Sequence, residues 1–262
     1  MTTLTVESFD GLALHAVAAG DPARPVVVLS HSIGCDLGSW DAQAAVLQAD
    51  FRVLRFDRRG HGRSGVPDGD ASIETLGRDA LAVMDAFGVA RAHFVGLSQG
   101  AMEGMWLAAH HPARIDRLVL ANTTAHLGVP EMIQGAIDAG FAHGMAGVGN
   151  GFLDRWLPQA FRDAEPAATA ALRATFAAMS PQGFAACAAV LKHLDLRPVL
   201  AQITAPTLVI VGGAEGPPLQ AAAQALVDGI PGARLAVIDG AGHLSSVERP
   251  AEFTAVVRAF LA

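Results

Sequence analysis

Short runs of apolar residues alternate along the chain with longer stretches in which apolar positions recur every three or four residues. Uninterrupted apolar runs are typical of parallel strands buried on both faces of a sheet. They lie at 26–30, 52–56, 93–97, 118–121, 207–211 and 235–238. The clearest helical stretch, 73–87, follows a capping Ser72 and precedes Gly88. The alternation predicts an α/β fold with a mostly parallel central sheet, helices on both faces, and ligands bound at the carboxyl ends of the strands.

Two parts of the chain depart from this alternation. Residues 4–8 and 12–17 alternate apolar and polar positions around Asp10-Gly11, which predicts an antiparallel hairpin at the start. From 126 to 195, helix-like segments rich in Ala, Met and Phe follow one another without a strand. We therefore predict an α/β core domain at 1–125 and 196–262, with a helical cap subdomain inserted at 126–195.

Composition narrows the classes of function. A chain of 262 residues with 52% hydrophobic positions can bury one large core, and its net charge of −7 argues against nucleic acid or an anionic membrane as the main partner. No signal peptide or apolar run of roughly 20 residues is present, so we expect a cytoplasmic protein. Cys35 and Cys187 are expected to be free thiols. No spacing of histidines, cysteines or carboxylates indicates a metal or cofactor.

The candidate chemistry centres on the segment Gly96-Leu97-Ser98-Gln99-Gly100, which joins a predicted strand to a predicted helix. Glycines on both sides of Ser98 permit the sharp turn that lifts a nucleophilic serine above the sheet edge. Five residues of this form are a weak signal alone. Because a serine hydroxyl is a poor nucleophile near neutral pH, Ser98 needs a base and a group that orients the base.

Residues that follow other predicted strands, or begin the helix after Ser98, are candidates for the base, the acid and the oxyanion donors. His243 follows the last predicted strand and is the candidate base, and Glu215 follows the strand at 207–211 and is the candidate acid. The backbone N–H groups of Ile33 and Gln99 are the candidate oxyanion donors.

With these pieces assembled, the chain resembles the α/β-hydrolases and, more narrowly, the 3-oxoadipate enol-lactonases of aromatic degradation. The stretches that carry the resemblance are HSIGCDLGSWDAQ, FRVLRFDRRGHGRS, HFVGLSQG, RIDRLVLANT, GFAACAAVLKHLDLR, PTLVIVGGAE and IPGARLAVIDGAGHLSSVERP. The resemblance implies the α/β-hydrolase fold and a catalytic triad of Ser98, Glu215 and His243. Three positions depart from the family pattern: Glu215 stands for an aspartate, Ala101 for a glycine, and Arg58 for a small polar residue.

The leading hypothesis is a serine hydrolase that cleaves a small ester or lactone, in particular an enol-lactone such as 3-oxoadipate enol-lactone, through an acyl-enzyme. A general carboxylesterase or perhydrolase of the same fold and a non-catalytic ligand-binding receptor remain alternatives. A haloalkane dehalogenase is disfavoured because that chemistry needs a carboxylate nucleophile. The candidate pocket walls are Trp40, Met132, Phe152 and Trp156. The sequence leaves open whether the chain forms a homo-oligomer and whether Arg58, Arg59 or Arg155 binds a substrate carboxylate.

Overall fold

The computed structural model describes residues 1–262 and contains one eight-stranded sheet. The strands are β1 (Thr2–Glu7), β2 (Ala13–Ala19), β3 (Val26–Ser30), β4 (Arg52–Phe56), β5 (Ala92–Leu97), β6 (Ile115–Ala121), β7 (Thr207–Gly212) and β8 (Arg234–Ile238). Their order across the sheet is β1-β2-β4-β3-β5-β6-β7-β8. All six predicted apolar runs lie in strands, and two of them, β3 and β4, have the predicted bounds.

Strand direction follows from the connections. The hairpin turns at Gly11, whose φ of 84° suits glycine, and β1 pairs antiparallel with β2. β2 pairs antiparallel with β4, whereas every pairing from β4 through β8 is parallel. The carboxyl ends of β3, β5, β6, β7 and β8 therefore share one edge of the sheet, and the loops that leave this edge carry the candidate site residues. The sequence prediction of an α/β fold with a mostly parallel sheet is confirmed.

Helices cover the sheet. They are α1 (Asp41–Leu47), α2 (Ile73–Ala86), α3 (Gln99–His110), α4 (Pro130–His143), α5 (Met145–Trp156), α6 (Gln159–Ala164), α7 (Pro166–Ala177), α8 (Pro181–His193), α9 (Pro217–Gly229), α10 (Ser245–Glu248) and α11 (Pro250–Leu261). Ser72 caps α2 as predicted, in a reciprocal capping box with Thr75. Two apolar clusters of 50 and 23 buried residues include the strands' side chains.

Five of these helices, α4 to α8, lie consecutively between β6 and β7. An isolated antiparallel bridge pairs His126 with Asp195, the residues at which we predict the cap to begin and end. The loop after β4 packs closely on this segment, since a Cβ placed on Gly60 would lie 2.6 Å from the Gly183 backbone at the start of α8. The Ala71 N–H also donates to the Ala186 carbonyl at 3.0 Å.

None of the helices taken singly has the length and apolar composition to cross a membrane. The consecutive helices α7 and α8 meet those two criteria only when taken together, with a bend of 96° between them.

Candidate active site

Ser98 occupies a strained turn between β5 and α3. Its φ of 56° and ψ of −116° lie outside the usual regions for a residue with a side chain, a conformation that costs about 1–3 kcal/mol. The surrounding structure holds it there: the Ser98 N–H donates to the Ala121 carbonyl at 2.8 Å, and the Thr123 hydroxyl donates to the Ser98 carbonyl at 2.9 Å. The serine side chain therefore lies at the N-terminal end of α3, where the helix dipole is positive.

Two glycines make this turn possible. A Cβ on Gly96 would lie 2.3 Å from the Gly100 backbone, and a Cβ on Gly100 would lie 2.3 Å from the Ser30 carbonyl oxygen. No side chain fits at either position. Ala101 is fully buried, and its N–H donates to the Ser98 carbonyl at 3.0 Å. The methyl group at this departure from the family pattern is thus accommodated in the first turn of α3.

Ser98, His243 and Glu215 lie together at the carboxyl edge of the sheet. The His243 Nε2 atom is 3.0 Å from the Ser98 Oγ atom, and the His243 Nδ1 atom is 2.7 Å from the Glu215 Oε1 atom. The longer side chain at position 215 therefore still reaches the imidazole. This chain of contacts can move a proton from the serine hydroxyl to the imidazole while the carboxylate stabilises the charged ring.

Asn122 supports the acid and was not among the sequence-predicted residues. Its Nδ2 group donates to the Glu215 Oε1 atom at 3.2 Å and to the Gly242 carbonyl at 3.0 Å. Asn122 is fully buried with a φ of 46°, in the left-handed region that asparagine tolerates better than most residues. Its position directly after β6, at the same sheet edge as the other site residues, is the sequence signal that could have identified it.

Glu248 supports the base. Its carboxylate accepts hydrogen bonds from the Gly242 and Leu244 N–H groups, at 2.7 and 2.8 Å, and so binds the backbone on both sides of His243. Burial raises the pKa of the Glu248 carboxyl to about 7. Glu248 lies five residues beyond His243, but the sequence alone does not reveal that its side chain turns back to this loop.

The two candidate oxyanion donors are free to bind a ligand. Neither the Ile33 N–H nor the Gln99 N–H donates a hydrogen bond within the protein. Gln99 is the first residue of α3, where N–H groups have no partner inside the helix. The Gln99 side chain is held by a hydrogen bond from its Nε2 group to the Cys187 carbonyl of α8 at 2.6 Å.

Two buried histidines fasten the loop that carries Ile33. The His31 Nε2 atom accepts from the Arg58 N–H at 3.1 Å, and the His61 Nε2 atom accepts from the Gly34 N–H at 3.1 Å. Burial holds the pKa of His31 well below its usual range and lowers the pKa of His61 to about 3, so both rings are neutral acceptors. Both histidines organise the loop.

Aromatic side chains from the inserted helices cover the candidate base. The Trp156 indole stacks on the His243 imidazole with ring centroids 4.9 Å apart, and the His243 N–H donates to the Trp156 carbonyl at 2.9 Å. Phe152 packs on Trp156 with centroids 5.0 Å apart. The other two predicted pocket residues have different surroundings, and the Met132 Sδ atom lies 3.9 Å from the Arg155 Nη1 group. Trp40 is buried in the core against Phe253, and Met132 is 43% exposed.

The three arginines considered for a substrate carboxylate differ in their partners. Arg58 is buried against Glu103, and Arg59 is buried against Asp79, with its Nε atom 2.6 Å from the Asp79 carboxylate. Arg155 forms no salt bridge and lies over the Phe152 ring at 5.1 Å. Only Arg155 therefore retains an uncompensated charge for a ligand.

No cluster of three histidine, cysteine or carboxylate side chains is arranged to hold a metal ion.

A cavity of about 420 Å³ opens beside the site, where Cys35 and Asp36 face Leu172 and Thr175 of α7. Neither Ser98 nor His243 lines it.

Comparison with known proteins places this geometry in context. Residues 25–250 match the family model of the alpha/beta hydrolase fold. The chain is 33% identical to 3-oxoadipate enol-lactonase 2 of Acinetobacter baylyi, over 99% of this chain and 96% of that protein. The crystal structure of the enol-lactonase from Burkholderia xenovorans superposes with a TM-score of 0.94 at 37% identity, covering 99% of both chains. The crystal structure of a hydrolase from Pseudomonas aeruginosa superposes with a TM-score of 0.95 at 41% identity, covering 100% of this chain and 98% of that one.

Proposed function

The chain belongs to the alpha/beta hydrolase family, and we propose that this hydrolytic enzyme opens a small lactone or ester through an acyl-enzyme on Ser98. The observation that carries the proposal is the continuous contact from the Ser98 hydroxyl to the His243 imidazole and on to the Glu215 carboxylate, at 3.0 and 2.7 Å. Such a relay activates a serine towards a carbonyl carbon.

In the proposed reaction, the Ser98 Oγ atom attacks the carbonyl carbon and its proton passes to the His243 Nε2 atom. The carbonyl oxygen becomes an oxyanion and accepts hydrogen bonds from the free N–H groups of Ile33 and Gln99. When the intermediate collapses, the bond between the carbonyl carbon and the ring oxygen breaks. The imidazolium returns its proton to the leaving oxygen, and the acyl group stays on Ser98.

Water completes the cycle. His243 takes a proton from the water molecule, whose oxygen attacks the acyl carbon. Collapse of the second intermediate breaks the bond between the acyl carbon and the Ser98 Oγ atom, and the imidazolium returns its proton to Ser98. The carboxylic acid product leaves and loses its proton to solvent. If the substrate is an enol-lactone, the released enol becomes a ketone, and the product is an oxo-acid.

An enol-lactone bearing a carboxylate, such as 3-oxoadipate enol-lactone, is the substrate we propose. Similarity to enol-lactonases over nearly the whole chain supports this choice. The charge of Arg155, which has no acidic partner and lies on the Phe152 ring beside Trp156, supports a substrate with a negative group.

The test compares the enol-lactone with short nitrophenyl esters, with and without hydrogen peroxide, for the wild type and Ser98→Ala. We expect Ser98→Ala to lose on the order of 10⁴-fold or more in turnover, and we expect the lactone to give the higher kcat/KM. Faster turnover of simple esters, or acceleration by peroxide, would favour a carboxylesterase or perhydrolase. An equal, slow rate in both proteins would refute an acyl-enzyme on Ser98 and favour the ligand-binding alternative.

A further inference from the structure

The guanidinium of Arg58 contacts both segments that carry the candidate oxyanion donors. The Nη2 group donates to the His31 carbonyl at 2.8 Å, two residues before Ile33. The Nη1 group donates to the Gln99 Oε1 atom at 3.2 Å. Arg58 is only 1% exposed, so solvent cannot replace these contacts. One side chain thus joins the loop after β3 to the first residue of α3.

Glu103 balances the charge of this arginine from within α3. Its Oε2 atom is 3.3 Å from the Arg58 Nη2 atom and accepts from the Ser30 hydroxyl at 2.9 Å. The Arg58 Nη2 group also donates to the Ser30 hydroxyl oxygen at 3.0 Å. Arg58 and Glu103 therefore form a buried pair that joins the end of β3 to α3.

The Arg58–Glu103 pair leaves two polar atoms unsatisfied, which lowers its contribution to the stability of the fold. The Arg58 Nε and Glu103 Oε1 atoms are buried without any hydrogen-bond partner. Buried ion pairs often stabilise a fold no better than apolar side chains of similar volume, and unpartnered polar atoms add a cost. A contribution to stability therefore does not account for this arrangement, whereas a positioning role does.

The neighbouring Arg59–Asp79 pair provides the contrast. Both Asp79 oxygens bind the Arg59 guanidinium, at 2.6 and 2.7 Å, and Asp79 is fully buried like Glu103. Its further contacts are with Ser8 and Asp10 near the N-terminal hairpin. This pair joins the hairpin to α2, and its side chains make no hydrogen bond to the oxyanion segments.

We propose that Arg58 is a positioning residue that fixes the Ile33 and Gln99 N–H groups relative to each other, so that both reach the oxyanion at once. The inference rests on the acyl-enzyme function proposed above. Hydrogen bonds to the oxyanion form fully only in the transition state, so a displaced donor lowers kcat more than it weakens substrate binding.

The test uses Arg58→Met, Arg58→Lys and Glu103→Gln, with Asp79→Asn as the matched control. Each variant is measured for kcat and KM on a nitrophenyl ester, for Tm, and for inhibition by a trifluoromethyl ketone, whose adduct with serine places an oxyanion at the two donors. Inhibition by the product acid reports ground-state binding.

For Arg58→Met we expect kcat to fall about 10- to 100-fold, which is less than the loss of a whole oxyanion donor. KM and inhibition by the product acid should change less than about twofold, while inhibition by the ketone weakens in step with kcat/KM. In Glu103→Gln we expect a smaller fall in kcat and in inhibition by the ketone, again with little change in KM or in inhibition by the product acid. Asp79→Asn should lower Tm and leave the ratio of ketone to product-acid inhibition unchanged.

Arg58→Lys keeps the positive charge and tests the positioning role if Arg58→Met does not fold. Lysine has one flexibly held nitrogen in place of the two guanidinium nitrogens that bind the His31 carbonyl and the Gln99 side chain separately, so we expect kcat and inhibition by the ketone to stay below the wild-type values. Wild-type kcat and ketone inhibition in Arg58→Lys would overturn the proposal. That result would leave the proposed function intact as long as Ser98→Ala is inactive. Equal turnover by Ser98→Ala and the wild type would refute the proposed function itself.

Discussion

Trp156 and His243 form a stacked pair, with ring centroids 4.9 Å apart and 27° between the ring planes. The indole covers one face of the imidazole, and the backbone of the same tryptophan accepts the His243 N–H. The inserted helices therefore help to orient the candidate base.

Replacing Trp156 by leucine should slow catalysis. The stacking contact is worth about 0.5–1.5 kcal/mol, so we expect kcat to fall about 2- to 10-fold, whereas Trp156→Phe should retain most of the activity. Steady-state kinetics on an ester would separate this role from that of a pocket wall, for which KM would rise while kcat stayed constant. Phe141→Leu, at an exposed aromatic of α4, is the control.

Shortening the candidate acid should be costly. Glu215 lies 2.7 Å from the imidazole, and removal of one methylene would withdraw its carboxylate by about 1 Å, a misplacement that costs about 100-fold in rate. Glu215→Asp should therefore lower kcat by about this factor, and Glu215→Gln by on the order of 10³- to 10⁴-fold. Full activity in Glu215→Gln would show that another carboxylate orients His243.

Glu248→Gln should weaken both the fold and the site. An amide can accept from one of the Gly242 and Leu244 N–H groups but not from both, and an unsatisfied buried donor costs about 1–3 kcal/mol. We expect Tm to fall, and kcat measured well below Tm to fall about tenfold as His243 shifts. Glu252→Gln, at an exposed position of α11, should change neither. A lowered Tm with unchanged kcat would limit Glu248 to a structural role.

Glu103 should make stability depend on pH. Burial raises the pKa of this carboxyl from its ordinary 4.5 to about 7, so the folded state holds the proton more tightly than the unfolded state. The resulting stabilisation is fully present below pH 4.5 and is lost as the pH rises through about 7.

Denaturant unfolding from pH 5 to 8 should therefore show the free energy of unfolding of the wild type falling relative to that of Glu103→Gln. Glu248 titrates in both proteins, so the difference isolates Glu103. A difference that stays constant across this range would mean that Glu103 ionises at its ordinary pKa in the fold.

Local patterns predicted much of the fold. The apolar runs of β3 and β4, the turn at Asp10-Gly11 and the cap at Ser72 depend on neighbouring residues, and each lies where the pattern indicates. The nucleophile segment was also visible, because its glycines relieve clashes within a few residues of chain. The short helix α1 was not predicted, since seven residues give too little periodicity.

Contacts between distant residues were invisible in the sequence. Arg58 and Glu103 are 45 positions apart and meet only because β3, β4 and α3 pack together. Trp40, a candidate pocket wall because it lies near the oxyanion loop in the sequence, packs on Phe253 in the core. Its direction depends on how the segment before α1 turns, which no local pattern specifies.

The inserted helices are bonded to the residues they cover. Gln99 donates to the Cys187 carbonyl of α8, and His243 donates to the Trp156 carbonyl at the end of α5. A rigid-body lift of these helices would break both contacts and release the supports of an oxyanion donor and of the base in the same movement. Under the proposed mechanism an opened molecule would lack both supports, so turnover would be confined to molecules in which these helices are in contact with Gln99 and His243.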